Sequence, residues 1–297
     1  MNKIKEVVAG IEELNKNIGE KIQEKLDNLT KPKDSLGKLE QLAKKIGIIK
    51  NTLTPKIEKK YIFVFASDHG VVEENISAYP QEVTEQMVYN FLSGGAGINV
   101  LARQINAEVI VVDIGVKAKI ITENKNFIDK KINFGTKNMK KTFAMTRQEA
   151  IKSIETGIEI VENMKEKIDI VGVGDMGIGN TTPSSAVTSV LTNKKVEECT
   201  GRGTGIDEET YKRKIDVIKE AIAINKPNRN DPIDVLSKVG GFEIGGIAGV
   251  ILGCAKNRIP VVIDGFISST GALIAYKISE KVADYIIPSH ISVEKGH

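Results

Sequence analysis

Ile168-Asp169-Ile170-Val171-Gly172-Val173 runs into Gly174-Asp175-Met176-Gly177-Ile178-Gly179-Asn180-Thr181-Thr182 and then into the helix-like stretch Ser184 to Leu191. A short β-branched run that ends in glycines and resumes as a helix reads as a buried parallel strand. Four other runs share its character: Tyr61 to Ala66, Val109 to Ile114, Ile259 to Ile263 and Asp284 to Ile287. Amphipathic stretches such as Val83 to Ile105, Thr146 to Lys167 and Glu208 to Ile224 alternate with them. The alternation predicts an α/β fold, an open, mostly parallel, doubly wound (Rossmann-like) sheet with helices on both faces. Ahead of the first run, Ile4, Val7, Val8, Ile11 and Leu14 recur at helical spacing, before the basic stretch Lys31-Pro32-Lys33-Asp34-Ser35-Leu36-Gly37. The expected organisation is a smaller helical part over residues 1–60 and an α/β catalytic domain over 61–297.

Composition narrows the functional classes. Of 297 residues, 41% are hydrophobic and 27% charged, the profile of a soluble chain with a substantial core. Forty-two Lys+Arg against 39 Asp+Glu leave a net charge of +3, and the basic residues are scattered, so no nucleic-acid partner is expected. Cys199 and Cys254 lie outside any CxxC pattern, which suggests neither a disulfide framework nor a zinc site. No signal-peptide core or membrane-length apolar run is visible, so the expectation is a cytoplasmic protein without a membrane partner.

Ligands of open α/β sheets bind beyond the carboxyl ends of the strands, and the chemically interesting residues follow the strands. Ser67-Asp68-His69-Gly70 follows the first, the Gly174–Thr182 loop the third, Asp264-Gly265-Phe266-Ile267-Ser268-Ser269 the next, and Ser289-His290-Ile291-Ser292-Val293-Glu294 the last. Gly172 to Gly177 formally fits GxGxxG, a weak match to the dinucleotide fingerprint. The longer loop reads as a phosphate site at a helix N-terminus or as a structural turn. Thr200-Gly201-Arg202-Gly203-Thr204-Gly205 is a second glycine loop whose cation suits a phosphate or carboxylate, or is merely solvated. Asp68-His69 reads as a structural hydrogen-bonded pair as readily as a catalytic one. Tyr79 offers a stacking face, or simple packing. Glu294 is marked only by its position at a strand end, where partial enclosure would favour a general base.

Taken together and in order, KPKDSLGKLE, SDHGVVEENISAYPQEVTEQMVYNFLSGGAGINVLARQ, GDMGIGNTTPSSA, GRGTGID, KVGGFEIGGIAG, PVVIDGFISSTGAL and SHISVEKGH resemble the nicotinate-nucleotide:5,6-dimethylbenzimidazole phosphoribosyltransferase family. The resemblance spans nearly the whole chain. It implies transfer of phosphoribose from nicotinate mononucleotide to 5,6-dimethylbenzimidazole or a related azole, giving α-ribazole 5′-phosphate and nicotinate in the assembly of cobalamin's lower ligand. It assigns the base to Glu294, which takes the benzimidazole proton. The donor's ribose phosphate would be held by Gly177, Gly179, Asn180 and Thr181, by Gly201, Arg202 and Gly203, and by Ser268. Ser77, Tyr79, Gln86 and Met87 would line the benzimidazole pocket, with Val293 closing one wall. Asp175 stands where the family commonly has Glu, one methylene longer, and is carried over as a substrate contact. No cofactor or metal is implied, and a homodimer is. Family members also continue past the Glu-x-Gly-His segment into helices that complete the small domain, where this sequence ends at His297.

Two other readings stay open. A NAD-dependent oxidoreductase would use Gly172 to Gly177 as its fingerprint and needs an acidic residue at the next strand end, for which Glu197 or Glu198 would serve. A non-catalytic relative would bind an azole without turnover.

Overall fold

The structure, a computed structural model, describes residues 2–297 apart from the side chain of Lys16. Its centre is a six-stranded sheet of β1 (Lys60–Ser67), β2 (Ala107–Gly115), β3 (Phe127–Asp129), β4 (Ile170–Met176), β5 (Val261–Ile263) and β6 (Ile286–Pro288). Every ladder is parallel, and the spatial order is β3-β2-β1-β4-β5-β6. The chain thus builds outward from β1 in one direction, then returns to β4 and builds outward in the other. A crevice opens between the carboxyl ends of β1 and β4, where such a sheet receives its ligand.

The helices are α1 (Asn2–Ala9), α2 (Lys16–Asp27), α3 (Lys38–Ile49), α4 (Val83–Leu92), α5 (Gly97–Gln104), α6 (Arg147–Met164), α7 (Thr181–Thr192), α8 (Val196–Cys199), α9 (Glu208–Asn225), α10 (Pro232–Val239), α11 (Phe242–Lys256) and α12 (Phe266–Ile278). Alternation along β1 assigns its two faces. Phe63 and Phe65 join the core shared with α11, whereas Val64 packs with Phe91 of α4 and Ala102 of α5. Helix α11 is buried from Phe242 to Ala255, as expected of a helix apolar all round. It lies against α6 so closely that a Cβ on Gly249 would stand 1.9 Å from the Ile154 carbonyl, and one on Gly157 2.0 Å from that of Gly246.

The N-terminal helices share this core through Ile4, Val7, Ile11 and Ile49. Arg258 fastens them, donating to the carbonyls of Ile49 at 3.0 Å and Ile48 at 3.2 Å and to the Glu12 carboxylate at 2.7 Å.

Several elements differ from the sequence expectation. Val83 to Ile105 divides into α4 and α5 at Gly94, whose φ of +80° ends a helix. β4 starts two residues late and continues through Gly174-Asp175-Met176, because its ladder with β1 runs on to Ala66↔Met176. The fingerprint glycines Gly172 and Gly174 are therefore strand residues, and the turn begins at Gly177. β3 is three residues long, too short to give an apolar signal.

Candidate active site

The crevice is floored by the turn after β4. Gly177 crosses the end of β1 so tightly that a Cβ there would lie 2.1 Å from the Ser67 carbonyl, and Gly179 takes φ +85°. Asn180 holds the N-cap position of α7 without capping it. Its amide instead donates to Asp175 Oδ2 at 2.6 Å. The uncapped N-terminus of α7 thus faces the crevice, and its N–H groups and dipole favour an anion.

A cavity of about 230 Å³ sits over this turn, lined by Ser77, Asp175, Gly177, Gly179, Asn180, Thr181, Arg202, Gly203, Lys214 and Glu294 among others. Glu294 enters from the loop after β6. Its Oε1 accepts the Gly203 N–H at 2.9 Å, while Oε2 is buried without a hydrogen-bond partner. Gly201 backs the carboxylate, since a Cβ there would stand 1.9 Å from Oε2.

Lys214, which the sequence reading did not single out, is the cation of the cavity. Only 1% exposed, it donates to Thr181 Oγ1 at 2.7 Å and to the Gly201 carbonyl at 3.3 Å. It thereby ties the two glycine loops together. Burial lowers its pKa to about 8 against the opposing pull of Glu294. Its helical phase carried a signal: Tyr211, Lys214, Ile215 and Ile218 stand at the i, i+3, i+4 and i+7 positions of a buried stripe. Arg202, by contrast, directs its guanidinium to Glu208 and, at 2.9 Å, to the Ile206 carbonyl. It lies over the Tyr211 ring, 5.3 Å from the centroid.

A second, mainly apolar cavity of about 500 Å³ adjoins the first, bounded by Ile62, Val64, Met87, Phe91, Phe266 and the β4 glycines. Asp175 lines both cavities. Burial, reinforced by Asp264 and opposed by Asn180, lifts its pKa to about 7. The remaining expected residues lie apart. Ser268 is fully buried behind the crevice, its Oγ 3.4 Å from the Val173 carbonyl. Tyr79 and Gln86 are exposed on the rim. Val293 is 100% exposed and lines neither cavity.

The phosphoribosyltransferase family matches residues 11–297. The chain belongs to that family. It is 51% identical over 294 residues to a nicotinate-nucleotide-dimethylbenzimidazole phosphoribosyltransferase of Clostridium acetobutylicum, covering 99% of this chain and 83% of the relative. A protein of the same name from Desulforudis audaxviator is 54% identical over 276 residues, 93% of this chain and 78% of the relative. The crystal structure of CobT from Thermus thermophilus superposes with a TM-score of 0.90 at 37% identity, covering 95% of this chain and 84% of that one. The oxidoreductase reading also fails on geometry. Glu197 and Glu198 lie in α8, whereas the next strand after β4 is β5, which begins only at Val261.

Proposed function

We propose that this phosphoribosyltransferase moves the 5-phosphoribosyl group of nicotinate mononucleotide to 5,6-dimethylbenzimidazole. The observation that carries the reading is the Glu294 carboxylate, pinned on one oxygen and unpaired on the other, beside a glycine-lined cradle with a buried lysine. The donor phosphate is the anion that suits the Gly177–Thr181 turn, the α7 N-terminus and Lys214. The apolar cavity beside Met87 suits a planar aromatic base. The pyridinium leaves as neutral nicotinate ring nitrogen, and the attacking benzimidazole passes its N–H proton to Glu294. Holding both substrates across the Asp175 partition supplies the rest, since alignment alone is worth several kcal/mol.

Release of nicotinate from nicotinate mononucleotide should require added 5,6-dimethylbenzimidazole, and Glu294→Gln should slow it by about 10²-fold or more. Binding of both ligands without α-ribazole phosphate would establish the non-catalytic reading instead. Among the described residues no helix is long and apolar enough to cross a membrane, and the proposed substrates are small molecules. A homodimer belongs to the proposal. The exposed Val100, Leu101 and Ile105 of the α5 region support it, and sedimentation tests it.

A further inference from the structure

Beneath the cradle lies a group of polar side chains that the proposed chemistry does not use. Glu243 and His69 are both 0% exposed and Asp68 is 2% exposed. Both Glu243 oxygens, both His69 ring nitrogens and Asp68 Oδ1 are without a hydrogen-bond partner. Buried polar groups left in that state are costly and rare, so a cluster of them calls for a physical account. Glu243 belongs to the first turn of α11, and its carboxyl group folds back against the Gly241 N-cap. Gly241 makes room for it, since a Cβ there would stand 2.4 Å from Oε1. The carboxyl group so placed reaches within 3.4 Å of His69 Nε2. That nitrogen also borders the phosphate turn, 3.1 Å from where a Cβ on Gly177 would stand.

We propose, resting on the phosphoribosyl-transfer reading, that Glu243 is a positioning residue for the donor. Its carboxyl group is bonded to the His69 imidazole, which props the Gly177 turn from below. The bond has one consistent proton arrangement. The charged groups facing Glu243 are Asp68, beyond β1, and Asp175, of β4, with the Ser67 hydroxyl beside them. No cation is among them. Burial therefore keeps the carboxyl protonated, well above the usual carboxylate range, and His69 neutral, its pKa pushed down to about 3. The protonated carboxyl donates to Nε2, and the imidazole keeps its own proton on Nδ1. Neither group carries charge, so the prop does not compete with the donor phosphate for Lys214.

Glutamine at 243 can make the same donation from its amide, whereas leucine cannot. With nicotinate mononucleotide as the varied substrate, Glu243→Leu should raise KM about tenfold or more with kcat little changed, and Glu243→Gln should stay within about threefold of wild type. The chain has three histidines, so imidazole NMR resolves them. In the wild type, His69 should keep a single neutral tautomer between about pH 5 and pH 8. A difference infrared spectrum of wild type against Glu243→Gln should show a protonated-carboxyl stretch in wild type only. A folded Glu243→Leu variant with unchanged KM overturns the proposal, as does a His69 that titrates in that window or an absent carboxyl band. If Glu243→Leu does not fold, the two spectroscopic measurements on wild type and Glu243→Gln decide. Loss of the transferase reading shows separately, as a wild-type chain that yields no product.

Discussion

A methyl group placed on Gly201 would stand 1.9 Å from Glu294 Oε2, 2.5 Å from its Cδ and 2.9 Å from Oε1. Gly201 is not among the glycines with left-handed φ, so alanine meets no backbone strain there. The collision falls on the far end of a flexible side chain, and the carboxylate swings away. In doing so it gives up the Gly203 N–H at 2.9 Å, a hydrogen bond to a charged group worth about 1.5–3 kcal/mol. It also loses its place in the cavity, and a displacement of about 1 Å at a reacting group costs roughly 10²-fold. Gly201→Ala should therefore lower kcat by about 10²-fold, equivalent to about 2.7 kcal/mol of transition-state stabilisation, with nicotinate mononucleotide KM changed far less. Unfolding free energy should fall by no more than about 1.5–3 kcal/mol, the worth of the hydrogen bond given up, since no other contact of the fold is lost. The assay follows nicotinate release chromatographically, beside a denaturant titration of the same preparation. A stable Gly201→Ala variant with wild-type kcat would refute the reasoning, since it would leave Glu294 with no catalytic need of its present position.

Two other groups give pH-dependent expectations. Asp175 has a folded pKa of about 7 against 3.8 unfolded, so the folded chain binds the extra proton between those values and stability falls as pH rises through that window. Asp175→Asn, which keeps an oxygen for Asn180, should be more stable than wild type at pH 8, by about 1–2 kcal/mol after allowing for the open cavity, and indistinguishable near pH 4 by urea titration. Lys214 has a folded pKa of about 8 against 10.5, so its charge in the folded chain is lost as pH rises past 8. Donor KM should climb above that pH in the wild type. In Lys214→Met it should be about tenfold higher at pH 7 and flat across the range, as steady-state kinetics at fixed ionic strength will show.

The parallel sheet was legible because its strands are buried on both faces, so Tyr61 to Ala66 and Val109 to Ile114 read as unbroken apolar runs. The same burial concealed α11. Phe242 to Ala255 has no polar face, and with no 3.6-residue alternation it offers no helical signal in the sequence. The strand-end rule grouped Gly177 to Thr181 with Glu294, and the structure brings both to one cavity. It could not rank Arg202 against Lys214, because the ranking depends on who else claims each charge. Glu208 and a carbonyl occupy the arginine, whereas burial leaves the lysine only two neutral acceptors. A buried cation whose direct partners are both neutral is stabilised most by the anion that arrives with the substrate. The glycine loops are therefore shaped less to grip phosphate by themselves than to hold Lys214 between them and out of water. Glu294 and Asp175 share the cavity with it, and the Gly203 N–H holds Glu294 by Oε1, so Lys214 itself bonds only neutral acceptors until the donor arrives.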